Sequence, residues 1–298
     1  MNDQLLELRS LASKAENRRT ETGIPRVAMV QGEIPEYMLA AVYDPMINLI
    51  LQGSKTMTVG DRTLRYDPAT YFVMSIELPA VGTIHPATSG APYLALSLTL
   101  DPTVLATLLT DLPSPTPHNE SEKDDSAGFS VAATTPALMD AWLRMLRLMG
   151  RPDDIAALAP VYEREILYRV LQGPHGWMLR DIAAPDTAMA RISQAIQWIR
   201  RHFAEPIRVE MLAQKAAMSV SAFHRHFKAV TTLSPLQYQK RVRLLQARML
   251  MIAGAKSVTN AAFEVGYESA TQFSRDYARI FGLPPSRDTA RILSETQR

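Results

Sequence analysis

The sequence predicts an α+β protein, in which a β-rich N-terminal part with flanking helices precedes an all-helical C-terminal part. Three features of the 298 residues lead to this fold class. Short apolar runs between residues 26 and 101 alternate with a period of two, as half-buried strands do. Apolar residues recur at helical spacing after Pro136. The last third repeats itself weakly with an offset of 50 residues.

The β-rich part is predicted to be a small β-barrel or sandwich, because many short strands follow one another with frequent turns and no helical spacers. The predicted strands cover residues 26–33, 46–52, 55–59, 62–66, 70–76 and 93–100. Gly60 and Asp61 separate two of these strands at hairpin spacing, where glycine supplies the positive φ of a type II′ turn.

Helices are predicted on both sides of the strands. Residues 1–20 show a short amphipathic pattern, and residues 113–128 form a polar, proline-bearing surface loop. Helical patterns follow over residues 136–149 and 153–171. The apolar stripes of these two helices fit either a cover over the strands or a dimer interface, and the sequence leaves both open.

The C-terminal repeat predicts two copies of a helix, a tight turn and a second helix. Phe223 to Phe227 align with Phe273 to Tyr277, and Ser219 aligns with Ser269. The supporting helices are predicted at 209–216 and 258–264, and the second helices at 220–230 and 269–281. A long helix over 236–253, about 27 Å at 1.5 Å per residue, joins the copies. It carries four basic residues, which are Lys240, Arg241, Arg243 and Arg248.

Helical periodicity sorts the second helices into two faces. Phe223 and Phe227 in the first copy, and Phe273 and Tyr277 in the second, are predicted to point into the core. The opposite faces carry residues that donate, accept or bear positive charge, as contact with base edges and phosphates in a major groove requires. These residues are Ser221, His224, Arg225, Lys228, Thr271, Gln272, Ser274 and Arg275. We therefore predict a double-stranded DNA interface, with arginine reading guanine.

The charge distribution agrees with a polyanionic partner for the C-terminal part. Residues 187–298 contain 17 Lys and Arg against 7 Asp and Glu, whereas residues 1–186 contain 15 against 23. The chain has no cysteine, which excludes disulfides and thiolate metal sites. It has no apolar run of membrane-spanning length and no signal-peptide pattern at its start, so we expect a cytoplasmic protein without a membrane partner.

Several spaced motifs in the repeat occur together. They are Ser219, Ser221, Phe223, Arg225, Phe227 and Lys228 in the first copy, and Val265-Gly266-Tyr267, Gln272-Phe273-Ser274-Arg275 and Phe281-Gly282-Leu283-Pro284-Pro285 in the second. This pattern resembles the AraC/XylS family of transcription regulators, which implies two tandem helix-turn-helix units that bind promoter DNA. Two positions depart from the family pattern. Thr232 stands where most members have glycine, and Arg287-Asp288 replaces a tyrosine-arginine pair.

The N-terminal part resembles one AraC-type subgroup in Tyr43-Asp44-Pro45, in residues 49–53 and 93–96, and in Leu100-Asp101-Pro102. The resemblance implies a cupin-like β-barrel that binds a small-molecule effector, whose pocket residues the sequence does not identify. The predicted domains are therefore an effector-binding domain over 1–112, a polar loop and helical linker over 113–186 that is also a candidate dimerisation region, and a DNA-binding domain over 187–298.

Enzymatic alternatives find little support in the sequence. Cupin enzymes hold a metal with closely spaced histidines and a carboxylate, and residues 1–170 contain only His85 and His118. No nucleophile elbow, phosphate loop or dinucleotide motif occurs. We expect no metal, no cofactor and no catalytic residues.

The first hypothesis is a ligand-responsive transcription regulator, with RNA polymerase and a second copy of the chain as further candidate partners. Two alternatives remain at this point. One is a metal-free cupin enzyme fused to a DNA-binding module, and the other is an architectural DNA binder without sequence preference.

Overall fold

A computed structural model of the chain describes residues 2–16, 18–32, 37–112, 127–184 and 186–296. Its backbone contacts separate two compact units. The first comprises residues up to Arg191 together with Ala229–Thr232, and the second comprises Ile192–Lys228 and the residues from Leu233 onward. Most of the predicted loop at 113–128, including His118, lies outside the described residues.

The described strands of the first unit form two antiparallel sheets. In chain order they are β1 (Arg18–Glu21), β2 (Val27–Gly32), β3 (Tyr37–Tyr43), β4 (Met46–Gln52), β5 (Ser54–Val59), β6 (Arg62–Tyr66), β7 (Thr70–Met74), β8 (Leu78–His85), β9 (Tyr93–Thr99) and β10 (Phe129–Ala133). The first sheet has the order β1-β2-β9-β4-β7-β10, and the second has the order β3-β8-β5-β6. The mixed α and β composition is as predicted. The predicted closed barrel is absent from the described residues, because both of their sheets have open edges.

The predicted hairpin is confirmed. β5 pairs with β6 from Lys55 opposite Tyr66 to Val59 opposite Arg62, which leaves Gly60 and Asp61 as the two turn residues. Gly60 takes a φ of 62°, the left-handed value that a residue without a Cβ adopts at low cost.

Three strands and four helices lie where no element was predicted, namely β3, β8 and β10 and the helices at Pro102–Thr110, Gly176–Ala183, Ala188–Arg201 and Pro285–Thr296. The helical pattern predicted over residues 1–20 is wrong in its last part, because the first helix ends at Ala12 and β1 begins at Arg18. The alternating apolar pattern that predicts a strand is interrupted in β8 by Pro79 and Gly82, because proline and glycine are depleted in strands. The first sheet therefore gains edge strands, and the second sheet gains the two strands that lie on the far side of β5 from β6.

Five helices of the first unit share one core with the first sheet. They are α1 (Asn2–Ala12), α2 (Pro102–Thr110), α3 (Pro136–Arg147), α4 (Ile155–Leu171) and α5 (Gly176–Ala183). α3 begins at Pro136 because Thr135 caps its N-terminus, and it buries Trp142 completely. Leu49 and Leu96 of the sheet join the same apolar cluster. Of the two readings that the sequence left open for α3 and α4, a cover over the strands is therefore present.

The other face of the first sheet meets the second sheet. The rings of Tyr66 on β6 and Phe72 on β7 stack with centroids 5.2 Å apart. Asn48 on β4 is buried and accepts hydrogen bonds from the hydroxyls of Tyr66 and of Tyr93 on β9, each at 3.4 Å. β4 is buried over six of its seven residues because it has helices on one side and the second sheet on the other.

The second unit is helical in its described residues. Its helices are α6 (Ala188–Arg201, which starts within the first unit), α7 (Val209–Lys215), α8 (Val220–Thr231, whose last three residues belong to the first unit), α9 (Pro235–Ile252), α10 (Val258–Glu264), α11 (Ala270–Phe281) and α12 (Pro285–Thr296). α9 begins with a capping box, in which Ser234 and Gln237 each bond the other's backbone amide. Among the described helices of the whole chain, none combines the length and apolar character needed to cross a bilayer.

Candidate nucleic-acid interface

Two helix pairs in the second unit match the predicted repeat. α7 is followed by α8, and α10 is followed by α11, with α9 between the pairs. Both shorter helices end in the same hydrogen-bond pattern. The Met218 amide donates to the Ala213 carbonyl at 2.9 Å, and the Tyr267 amide donates to the Ala262 carbonyl at 3.0 Å. This bond, from the second residue beyond the helix cap, is typical of a Schellman motif.

The residue after each cap is left-handed. Gly266 takes a φ of 86°, and Ala217 takes a φ of 50° at the equivalent place. A Cβ built on Gly266 would lie 2.0 Å from the Ala204 carbonyl oxygen, so only a residue without a side chain fits at this place. The repeat offset needs a correction. It is 49 in the shorter helices and becomes 50 only in the longer ones, because the second turn has one extra residue, Glu268.

The longer helices begin in the same way. Ser219 Oγ accepts a hydrogen bond from the Ala222 amide, and Ser269 Oγ accepts one from the Gln272 amide, each at 3.3 Å. They end in a similar backbone conformation, since Gly282 has a φ of 77° and Thr232 has a φ of 61°. Thr232 therefore adopts the left-handed conformation that the glycine of the family pattern would adopt, although its β-branched side chain makes this conformation strained.

Aromatic side chains fix the inner face of each longer helix, as predicted. Phe223 and Phe227 on α8 are fully buried, and Phe227 packs edge-on against Tyr238 of α9 at 5.7 Å between centroids. On α11, Phe273 and Tyr277 are equally buried. Because inner positions recur every three or four residues, the remaining positions must point away from this core.

The predicted DNA-facing residues lie on these outer faces. Seven of the eight are exposed, namely Ser221, His224, Arg225, Lys228, Thr271, Gln272 and Arg275. Ser274 is the exception, because it is half-buried and its hydroxyl donates to the Ala270 carbonyl of its own helix at 2.9 Å. Arg225 Nη2 lies 3.4 Å from His226 Nε2. Partial burial and the Arg225 charge lower the pKa of the His226 imidazole, so the ring stays neutral beside the guanidinium at pH 7.

Basic residues of α9 serve the fold of the second unit, which the sequence pattern did not reveal. Arg243 donates to the carbonyl oxygens of Phe203, Ala204 and Glu205 after α6, and to that of Gly266, at 2.6–3.0 Å. Lys240 Nζ lies 3.0 Å from the buried Asp276 carboxylate of α11. Arg243 thus holds the segments that follow α6 and α10 against α9, and Lys240 holds the middle of α11 against it.

A buried ion pair joins α9 to α12. Arg248 donates to both carboxylate oxygens of Asp288 at 2.8 and 3.3 Å, and the Tyr277 hydroxyl donates to the same carboxylate at 2.8 Å. Asp288 is fully buried. Asp288, the second residue of the departure from the family pattern, therefore belongs to an internal network that holds α11 and α12 together, whereas Arg287 is exposed.

Neither histidine nor carboxylate groups of the first unit form a candidate metal centre in the part of the chain that the structure describes. His85 lies at the end of β8, and its Nε2 atom is 3.1 Å from Thr56 Oγ1.

Comparison with known proteins adds two family matches. Residues 23–178 match the family model for the AraC-type transcriptional regulator N-terminus, and residues 212–291 match that for a helix-turn-helix domain. The chain is 34% identical over 145 residues to the HTH-type transcriptional activator RhaS of Escherichia fergusonii, covering 47% of this chain and 51% of RhaS. It is 36% identical over 145 residues to RhaS of Citrobacter koseri, with 48% and 51% covered. The chain thus spans about half the length of these curated relatives.

Solved structures share the fold. Fatty-acid-bound ToxT from Vibrio cholerae is similar with a TM-score of 0.57 and 11% identity, over 88% of this chain and 94% of ToxT. At this identity the likeness concerns the fold alone. The N-terminal family model covers just over half of the 298 residues, and the helix-turn-helix model covers most of the remainder. The chain therefore belongs to the family of AraC-type transcriptional regulators.

Proposed function

We propose that the chain is a sequence-specific DNA-binding transcription regulator controlled by a small-molecule effector. One observation carries the proposal. Two helices of matching construction each turn an aromatic face inward and an exposed polar and cationic face outward, within a region that matches a helix-turn-helix domain. Such faces suit two helix-turn-helix units in tandem, each with one helix in a major groove.

The proposed DNA-reading residues are those predicted from the sequence. Arg225 and Arg275 read bases, because an exposed guanidinium can donate two parallel hydrogen bonds to guanine. Ser221, His224, Lys228, Thr271 and Gln272 contact bases or phosphates. Ser274 belongs to the same set, but we expect it to contribute less to DNA binding, because its hydroxyl donates a hydrogen bond within its own helix.

The proposed division of labour follows the predicted domains, with effector binding in 1–112, a loop and helical linker in 113–186 and DNA binding in 187–298. The effector domain is proposed to be cupin-like, with its two open sheets packed face to face. RNA polymerase and a second copy of the chain are proposed partners. The fatty acid in the ToxT structure supports an organic small molecule as effector for a chain of this fold.

The proposal is tested by measuring binding of the full chain to the DNA upstream of its own gene and to random DNA of equal length. Both titrations are repeated over a range of salt concentrations, because phosphate contacts make all binding salt-dependent. We expect at least about 10³-fold preference for one upstream segment at fixed salt. Equal affinity for both DNAs would support an architectural binder instead. Absence of binding at low salt would refute both.

A further inference from the structure

A lysine lies between the two sheets of the first unit. Lys55 on β5 is only 4% exposed. β5 alternates, so that Lys55, Met57 and Val59 are buried while Thr56 and Thr58 are partly exposed. The lysine therefore occupies an inward position of a strand whose other inward residues are apolar.

No carboxylate of the described residues forms an ion pair with Lys55. The contact found for its ammonium group is the ring of Tyr43, whose centroid lies 5.0 Å from Nζ. Burial lowers the pKa of Lys55 to about 8, so the side chain is still mostly charged at pH 7. A buried ammonium with no counter-charge among the described residues is unfavourable, and ionisable groups with such strongly perturbed pKa values cluster at functional sites.

Neutral hydrogen-bonding groups surround the same interior. Tyr66 is directly opposite Lys55 in the β5–β6 ladder, a position that brings two Cβ atoms within about 5 Å. The hydroxyls of Tyr66 and Tyr93 share one acceptor, Asn48 Oδ1, at 3.4 Å, which is long for such bonds. Burial raises the pKa of both phenols well above the usual value. They remain protonated donors and can turn toward a better acceptor.

The remaining inward residues near Lys55 are apolar or small. Ile84 lies opposite Lys55 on β8, and Gly82 and Ala80 lie opposite Met57 and Val59. Phe72 stacks on Tyr66 from the first sheet. These surroundings suit the apolar body of a small molecule, and a single ammonium balances a single negative charge, so a monocarboxylate fits better than a phosphate.

We propose that Lys55, with Tyr66, Tyr93 and Asn48, binds the carboxylate of the effector between the two sheets, and that the effector is a small monocarboxylic acid with an apolar body. This inference rests on the proposed effector control. It adds the chemical class of the ligand and the residues that bind it.

The test uses the full chain and two matched sets of probes. The acids are hexanoate, octanoate, decanoate, benzoate and cinnamate, and each is compared with its uncharged primary amide by calorimetry and by thermal shift. We expect at least one acid to bind and to raise the melting temperature, while its amide binds at least about 10-fold more weakly because it lacks the charge.

Variants locate the site. Lys55→Met is expected to lower the affinity for the acid at least about 10-fold, and Tyr66→Phe to lower it severalfold, because each removes a donor. Lys14→Met, which removes an exposed lysine, should leave the affinity unchanged. Circular dichroism checks that each variant is folded. If Lys55→Met does not fold, the affinity of Tyr66→Phe for the acid is used to test the inference.

Three results would overturn the inference: no acid binds, acid and amide bind equally, or the acid binds Lys55→Met as it binds the wild type. DNA binding of the ligand-free chain is measured in parallel. If the chain prefers one DNA sequence but binds none of the acids, only this inference is wrong. If the chain shows no DNA sequence preference, the proposed function is wrong.

Discussion

At the scale of single residues, buried charge is used in two different ways. Asp288 is fully buried but paired with Arg248 and bonded by Tyr277, so its charge is compensated inside the fold. Lys55 is nearly as buried, yet no carboxylate of the described chain pairs with it. The first arrangement belongs to the stability of the helical unit, and the second is costly for the unit that contains it.

Removing the Asp288 carboxylate should strongly destabilise the chain. In Asp288→Ala we expect the free energy of unfolding to fall by about 3–5 kcal/mol, because Arg248 is left buried without a counter-charge. Urea unfolding followed by circular dichroism measures this change. Arg287→Ala alters an exposed neighbour and should stay within about 0.5 kcal/mol of the wild type. Equal effects of the two variants would contradict the role assigned to Asp288.

Replacing Lys55 should stabilise the ligand-free chain in a pH-dependent way. The pKa of Lys55 is about 8 in the folded chain against 10.5 for the free side chain, so between these values the unfolded chain binds more protons. The destabilising effect of Lys55 is thus complete below pH 8 and fades as the pH rises toward 10.5. Below pH 8 we expect Lys55→Met to be more stable by up to roughly 3 kcal/mol.

The measurement compares the unfolding free energies of the wild type and Lys55→Met from pH 7 to pH 10. The difference cancels the common contribution of the neighbouring ionisable side chains, which are Tyr43, Tyr66 and Tyr93. A difference that is negligible at pH 7, or that grows with pH, would show that Lys55 is not a destabilising buried cation.

At the scale of elements, the two turns before the longer helices impose the same backbone conformation on different residues. Gly266 adopts it freely, whereas Ala217 has a Cβ at a φ of 50°. Ala217→Gly should therefore stabilise the chain by roughly 0.5–1 kcal/mol, after allowance for the greater freedom of glycine in the unfolded state. Gly266→Ala should destabilise it by roughly 2–4 kcal/mol, because the new Cβ would clash with Ala204.

Thermal unfolding of the two single variants tests this pair of predictions. Opposite shifts in melting temperature are expected. Shifts of the same sign would mean that the two turns do not share the conformation described above.

Elements with one clear signal were predictable from the sequence. β4 and β6 have the predicted bounds, Met46–Gln52 and Arg62–Tyr66, because turn residues delimit both. α10 also has its predicted bounds, Val258–Glu264. α2 was missed although Asp101 caps it and Pro102 starts it, a signal that helix-capping rules could have detected. The outward direction of the predicted DNA-reading residues followed from periodicity alone. The engagement of Ser274 with its own helix, and of Lys240 with Asp276, depends on tertiary packing that periodicity does not encode.

At the scale of the whole molecule, charges of opposite sign predominate in the two parts of the chain. The basic excess lies in residues 187–298 and the acidic excess in residues 1–186. A ligand can alter DNA binding only if it binds with different affinity to two states of the chain. In the proposed function, the interior lysine lets the first unit select an anionic ligand, and the outward helix faces let the second unit select DNA.

The central claim is that Arg225 and Arg275, on two separate helices, each read a base pair. It is tested most directly by determining the preferred DNA sequence of the wild type, Arg225→Ala, Arg275→Ala and the control Arg287→Ala from a randomised pool at fixed salt. The account predicts that each of the first two variants binds the preferred site more weakly by about 1–3 kcal/mol and loses base preference at one position, a different position for each. The control should retain the full preference. Unchanged affinity and unchanged base preference in both arginine variants would contradict the account.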